Sequence, residues 1–219
     1  MAENSNDLHN EMIAPVPQWL QWAREIQGMC QTGLNYSKSD YDAARYRRLM
    51  EIASEIVEIH AGLPAGPLAE HFSAQPGYAT VKVDVRAAVV RDGKVLLVQE
   101  KKDRRWAMPG GWADVGEVPS QMVAREAFEE SGLIVIPRKV IGVYDANRAP
   151  IHLEFYHAYK IVFLCEIIGG SEQPGDETIA ADFFSFENLP ALSTYRTSTQ
   201  HIAELYEHIR DATRPAAFD

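Results

Sequence analysis

The stretch GGWADVGEVPSQMVAREAFEESGL, Gly110 to Leu133, limits the possible folds more than any other part of this chain. Pro119 is placed to be the first residue of a helix and Gly132 to stop it, and the flanking segments read as strands. On such a helix Glu126, Glu129 and Glu130 fall within an arc of roughly 100°, because steps of three and four residues return close to the starting angle. Like charges at this spacing cost roughly 0.2–0.5 kcal/mol per pair, and a helix chosen for stability alone would interleave lysine. Only Arg125 stands close by. The plain alternative is a solvated acidic face. The functional reading is a site for a hard divalent cation, Mg²⁺ or Mn²⁺ rather than Zn²⁺, since every donor is oxygen and neither Cys nor His is among them. A carboxylate not used as a ligand could then orient or deprotonate a water. Gly110 and Gly111 let the upstream backbone approach a ligand closely, and Glu117 could reach back to Arg125 and hold that loop to the helix.

The remaining bounds narrow the class. A chain of 219 residues holds one well-buried domain with room for a small appendage. Its formal net charge of −10 disfavours general attraction to a nucleic-acid backbone unless basic residues cluster locally. Cys30 and Cys165 allow neither a disulfide framework nor metal-finger spacing, which fits a reducing compartment. The start, MAENSNDLHNEM, lacks the basic and apolar regions of a secretory signal, and the longest apolar run, IVFLCEII, is too short to span a bilayer. The expectation is a cytoplasmic protein with no membrane partner.

Along the chain, residues 1–14 are expected to be frayed and 15–63 to form a helical hairpin. Trp19, Trp22, Ala23, Ile26, Met29 and Cys30 lie at helical spacing in its first helix, and Gly33 reads as that helix's stop. Ser39 or Asp40 would cap the second, whose apolar stripe is Leu49, Ile52, Ala53, Ile56 and Val57, with Gly62 ending it. A Pro- and Gly-containing linker, 64–78, leads to a mixed α/β domain over 79–213 and a tail, 214–219. Within that domain TVKVDVRAAVV, KVLLVQE, KVIGVYD and FYHAYKIVFLCEI read as strands, with RDGK as a hairpin turn between the first two. STYRTSTQHIAELYEHIRDA reads as a final helix.

Gly111, five residues, Glu117, seven residues, then Arg125-Glu126-Ala127-Phe128-Glu129-Glu130-Ser131-Gly132-Leu133 resembles the signature of the Nudix hydrolases, GX5EX7REUXEEXGU. Every fixed letter matches. Ala127, where a bulkier aliphatic residue is preferred, touches packing and not chemistry. The resemblance implies an α/β/α sandwich with a mixed sheet and hydrolysis of a nucleoside diphosphate linked to another group X. It implies that Glu129 and Glu130 bind Mg²⁺ (or Mn²⁺), with Gly111 counted in the metal set, and that Glu126 either binds metal or serves the attacking water. Arg125 and Glu117 are implied to be mainly a structural and electrostatic pair, with Arg125 counted beside Glu126 and Glu129 in the catalytic group. Some members take the base or a further ligand from a later loop. Glu177 is the candidate here, and a hydrogen-bonded loop glutamate is the equal alternative.

The resemblance extends to the flanks. QTGLNYSKSDYDAARY and FFSFENLPALSTYRTSTQHI are similar to segments of a bacterial subgroup that includes CDP-choline and ADP-ribose pyrophosphatases. This implies cleavage of CDP-choline to CMP and phosphocholine by a homodimer, with a small nucleotide as the partner. ADP-ribose and an RNA end are the rival substrates, RNA being disfavoured by charge. A nucleotide-sensing module without turnover is the rival from another class. For substrate contacts, Arg86 is read either as a phosphate ligand or as a surface ion pair, Trp106 and Tyr144 as base-stacking or core aromatics, and Arg104 and Arg148 as phosphate contacts or solvated charges. His152 and His157 are assigned structural roles.

Overall fold

A computed structural model describes residues 17–61, 66, 77–114, 116–146 and 157–219. The segment expected to fray, the Gly62 helix stop, most of the 64–78 linker, Arg148 and His152 lie outside the described residues. The chain divides into two units, the first ending at Val81 and the second beginning at Lys82.

The first unit is a helix pair, α1 (Gln18–Tyr36) and α2 (Asp40–Ala61). Ser39 caps α2, its hydroxyl accepting from the Asp42 amide. Leu20, Ala23 and Cys30 of α1 pack against Met50, Ala53 and Val57 of α2. Two expectations are corrected here. Helix α1 does not stop at Gly33 but runs three residues further, and the glycine serves packing: a Cβ there would lie 2.5 Å from the Tyr46 ring. The apolar stripe of α2 is rotated, so that Met50 is buried and Leu49 is exposed, while Trp22 and Met29 of α1 also face outward.

In the second unit β1 (Lys82–Arg91) and β2 (Lys94–Glu100) form the expected hairpin. Arg91 pairs with Lys94, and Asp92 and Gly93 both take positive φ, as a two-residue turn between twisted strands requires. The two strands then part. β2 pairs along its length with β6 (Thr178–Ser185) and near its end with β3 (Trp106–Ala107). β1 runs parallel to β5 (Ala158–Gly170), which pairs antiparallel with β4 (Leu133–Asp145), and β4 carries the short β7 (Ala217–Phe218). The sheet is therefore mixed. Helix α3 (Pro119–Ser131) covers one face through Met122, Val123 and Ala127, over Val85, Val89, Leu96 and Phe163. Helix α4 (Thr199–Arg210) covers the other through Ile202 and Leu205, over Ala88, Leu97, Ile141 and Val162. This is the α/β/α layering expected of the domain. No helix among the described residues is long and apolar enough to cross a membrane.

Ser198 begins α4 with a capping box in which His201 takes the place usual for Glu or Gln: its Nδ1 accepts from the Ser198 amide while the Ser198 hydroxyl accepts from the His201 amide. The ring is buried against Tyr144. Burial, with Lys160 and Arg86 adding positive charge, lowers its pKa from 6.5 to about 3. The unfolded chain therefore takes up this proton first as the pH falls. Stability from His201 is complete above about pH 6.5 and is lost as the pH falls toward 3, with about 2 kcal/mol gone at pH 5. Urea denaturation at pH 7.5 and pH 5 should show the wild type losing that much more than His201→Gln, which keeps the cap without titrating. Equal losses would remove His201 as the cause.

Candidate active site

The carboxylate helix α3 is bounded as the sequence indicates, with Pro119 at its first turn and Gly132 in the left-handed region at its end. Its acidic face meets the segment Met108–Ala113, which runs back along the edge of β1 that β2 has left. The Ala87 amide donates to Pro109 O, Val85 N to Gly111 O, and Ala113 N to Val83 O, at 2.8, 2.9 and 2.8 Å. Gly110 takes φ +145°, and a Cβ there would overlap the Val85 carbonyl oxygen and lie 2.9 Å from Arg86 Cα. Only glycine fits this approach. The Gly110 amide donates to Glu130 Oε2 at 2.8 Å. Gly111 stands so close to Glu126 that a Cβ would lie 3.1 Å from Oε2. The Gly111 carbonyl accepts from Val85 N and carries a second lone pair.

Arg125 ties the exposed side of the site together. Nε and Nη2 donate to both oxygens of Glu117 at 2.8 Å, as the spacing of the two residues suggests, and Nη1 donates to Glu129 Oε2 at 2.6 Å. Its Nη2 is also 3.1 Å from Glu126 Oε1. Because of this pairing Glu129 is drawn toward the arginine, and among the described residues no three His, Cys, Asp or Glu side chains are grouped closely enough to hold a metal ion. Glu129 is half exposed at this pair.

The electrostatics of the helix carboxylates differ from those of Glu117, which precedes the helix. Burial raises the Glu130 carboxyl to about 7, against the opposing pull of Arg86 and the Gly110 amide. Burial also raises Glu126, though Arg125 offsets part of the effect. Glu117 is lowered by its hydrogen bonds from Arg125. Two desolvated carboxylates beside the Gly111 backbone, with the half-exposed Glu129 next to them, are an all-oxygen donor set that fits a hard cation, which would compensate the charge that burial penalises.

The loop bearing Glu177 is fastened to the end of α3. Thr178 Oγ1 donates to Glu130 O at 2.9 Å, Gln173 N to Ser131 O at 2.9 Å, and Gly175 packs so tightly that a Cβ would overlap Glu129 O. Glu177 is exposed there, its carbonyl accepting from Lys101 N. It is thus carried to the edge of the carboxylate turn.

The other candidates scatter. Arg86 is buried: Nε and Nη2 donate to Asp84 at 3.0 and 2.7 Å, and Nη1 to Met108 O at 3.2 Å. This corrects the reading of it as a surface ion pair, the pair with Asp84 being buried. Tyr144 is a core residue whose ring leaves no open face for a base. Trp106 is half-buried, edge-on to Phe184. Arg104 is exposed on the β2–β3 turn with φ 59°. His157 pairs with Asp145 at 3.4 Å. The sequence reading missed Asp84, Lys160, Glu100, Arg196 and Thr197. Lys160 Nζ lies 3.1 Å from Asp84 Oδ1, and burial of Asp84 is outweighed by Arg86 and Lys160, which hold its carboxyl low. Glu100, at the end of β2, is buried with Arg196 Nε at 3.2 Å.

Comparison with known proteins agrees with this geometry. The NUDIX domain family matches residues 81–206, and a UDP-X-like N-terminal oligomerisation domain matches residues 17–72. The chain belongs to the Nudix family and is a Nudix pyrophosphohydrolase. It is 34% identical to "Putative ADP-ribose pyrophosphatase YjhB" of Bacillus subtilis over 208 residues, 95% of this chain and 100% of that protein. Among solved structures, a UDP-X diphosphatase is 30% identical with a TM-score of 0.59, covering 92% of this chain and 98% of that one. An ADP-ribose pyrophosphatase from Streptococcus suis is 36% identical with a TM-score of 0.58, covering 64% and 100%.

Proposed function

We propose that the chain hydrolyses the pyrophosphate bond of a nucleoside diphosphate linked to a second moiety, with ADP-ribose as the first substrate and Mg²⁺ or Mn²⁺ as the cofactor. The observation that carries this reading is the meeting of Glu126 and Glu130 with Gly111 and Gly110 at one point of the fold. A divalent cation held by Glu126, Glu129, Glu130 and the Gly111 carbonyl would neutralise the diphosphate and polarise its phosphoryl oxygens. The residues do the rest. Where Glu126 is a ligand, Glu177 at the rim accepts the proton of the attacking water; where it is not, Glu126, its carboxyl raised by burial, does so. Arg125 and Glu117 keep the loop on the helix.

ADP-ribose is placed first because of the name given to the Bacillus relative, which matches nearly the full chain. A UDP-linked derivative is the second reading, favoured by the UDP-X-like first unit and the UDP-X diphosphatase structure. CDP-choline rests on the flanking segments alone. We also infer a homodimer, supported by the match to an oligomerisation domain and checked by light scattering.

The test is a substrate panel with Mg²⁺: ADP-ribose, UDP-linked sugars, CDP-choline and a short RNA, followed by product chromatography. We expect metal-dependent release of a nucleoside monophosphate, lost about a hundredfold or more in Glu129→Gln. Binding without turnover of any of them would favour the sensing module instead. Full activity in the variant would remove Glu129 from the site.

A further inference from the structure

Met108 is the residue from which the Gly110–Gly111 segment departs, and two buried side chains grip its peptide groups from opposite ends. Thr197 Oγ1 accepts from the Met108 amide at 2.9 Å. Arg86 Nη1 donates to the Met108 carbonyl at 3.2 Å. Neither partner has slack. Thr197 is fully buried in the turn before α4, its own amide bonded to Ser193 O at 2.8 Å. Arg86 is pinned by a two-pronged pair with Asp84, and Asp84 is held in turn by Lys160, whose Nζ also donates to Tyr195 O at 3.2 Å. Two residues beyond Met108 the Gly110 amide meets Glu130. A shift of Met108 is therefore passed along two covalent links to the backbone that faces the carboxylates.

We propose that Arg86 and Thr197 are positioning residues: by clamping Met108 from both sides they fix Gly110 and Gly111 against Glu126 and Glu130, and so set the affinity for the divalent cation rather than for the nucleotide. The inference rests on the metal site of the proposed function. Groups that orient a cation's ligands from behind commonly change metal affinity 10- to 100-fold when replaced. Arg86→Lys keeps the charge but has no fork to hold Asp84 and the Met108 carbonyl together. Thr197→Val keeps the shape and removes the hydroxyl.

The experiment is titration of the metal-free protein with Mn²⁺ alone, followed by paramagnetic resonance or calorimetry, below the melting temperature of each variant. Arg86→Lys should weaken Mn²⁺ binding about tenfold and Thr197→Val about threefold, with Thr197→Ser restoring the wild-type value. At saturating metal the KM for the nucleotide should stay within about twofold. Should Arg86→Lys fail to fold, the Thr197 pair decides. Unchanged Mn²⁺ affinity in Thr197→Val, or a raised KM with unchanged metal affinity in Arg86→Lys, overturns the proposal, as does a wild type that binds no Mn²⁺. A wild type that binds Mn²⁺ but cleaves none of the panel overturns the substrate reading and leaves this one standing.

Discussion

Replacing Glu130 with glutamine is expected to abolish most activity and, in the same molecule, to make the metal-free protein more stable. Glu130 is 7% exposed, and burial raises its carboxyl from 4.5 to about 7. A carboxyl raised in this way is comfortable when protonated. Its contribution to stability is intact below about pH 4.5 and is lost as the pH rises through 7, because the folded state then carries a charge that the unfolded chain would solvate better. Glutamine removes that burden while its carbonyl still accepts from the Gly110 amide. In EDTA at pH 8 Glu130→Gln should be more stable than the wild type by about 3 kcal/mol, with the difference gone at pH 4. Turnover with saturating Mg²⁺ should fall by a factor on the order of 10² to 10³. Urea melts at the two pH values, set beside steady-state rates, measure both. A loss of stability at pH 8 would mean that the charge of Glu130 supports the fold through Arg86, contrary to the balance described.

The second large effect is at Gly110. Alanine there would need φ near +145°, a region closed to side chains, and its methyl group would strike the backbone of Val85 and Arg86, which cannot swing aside. Gly110→Ala should cost about 4 kcal/mol or more, read as a fall in the urea midpoint. By contrast the nearest atoms to a Gly111→Ala methyl are those of the Glu126 carboxylate, at 3.1 Å. That variant should remain folded while losing activity. If Gly110→Ala melted like the wild type, the docking of the 109–113 segment on β1 would be wrong.

Some of this architecture could be read directly from the chain, and some could not. Strand β2 and its turn were legible because KVLLVQE and RDGK carry both β-propensity and turn chemistry within a few residues. Helix α3 was legible because Pro119 and Gly132 mark both ends. Strand β4 begins at Leu133, six residues before the expected start at Lys139, and takes in Pro137, which cannot donate to a ladder. The structure accommodates it at an irregularity, where pairing shifts between Pro137 and Lys139. Strand β6 begins at Thr178 because the long edge of β2, 78 to 91 residues earlier in the chain, supplies the pairing. At the site, the carboxylate turn was local and therefore visible. The Arg86 clamp joins strands β1 and β5 to the turn before α4, so no short window contains it. One signal was nonetheless present. Asp84 and Arg86 stand two apart in the middle of β1, which places both on one face, and a charged pair flanked by valines and alanines marks a buried bridge rather than a surface one.

The parting of β1 from β2 bears on more than catalysis. A strand whose partner leaves after one turn presents bare amides and carbonyls, the kind of edge on which a second chain can add itself. Here the segment 109–113 fills that edge with three main-chain bonds, acting as a surrogate strand that contributes no side-chain ladder. The 109–113 segment thus also covers an edge open to strand addition, and a variant in which it undocks, as expected of Gly110→Ala, should aggregate where Gly111→Ala does not.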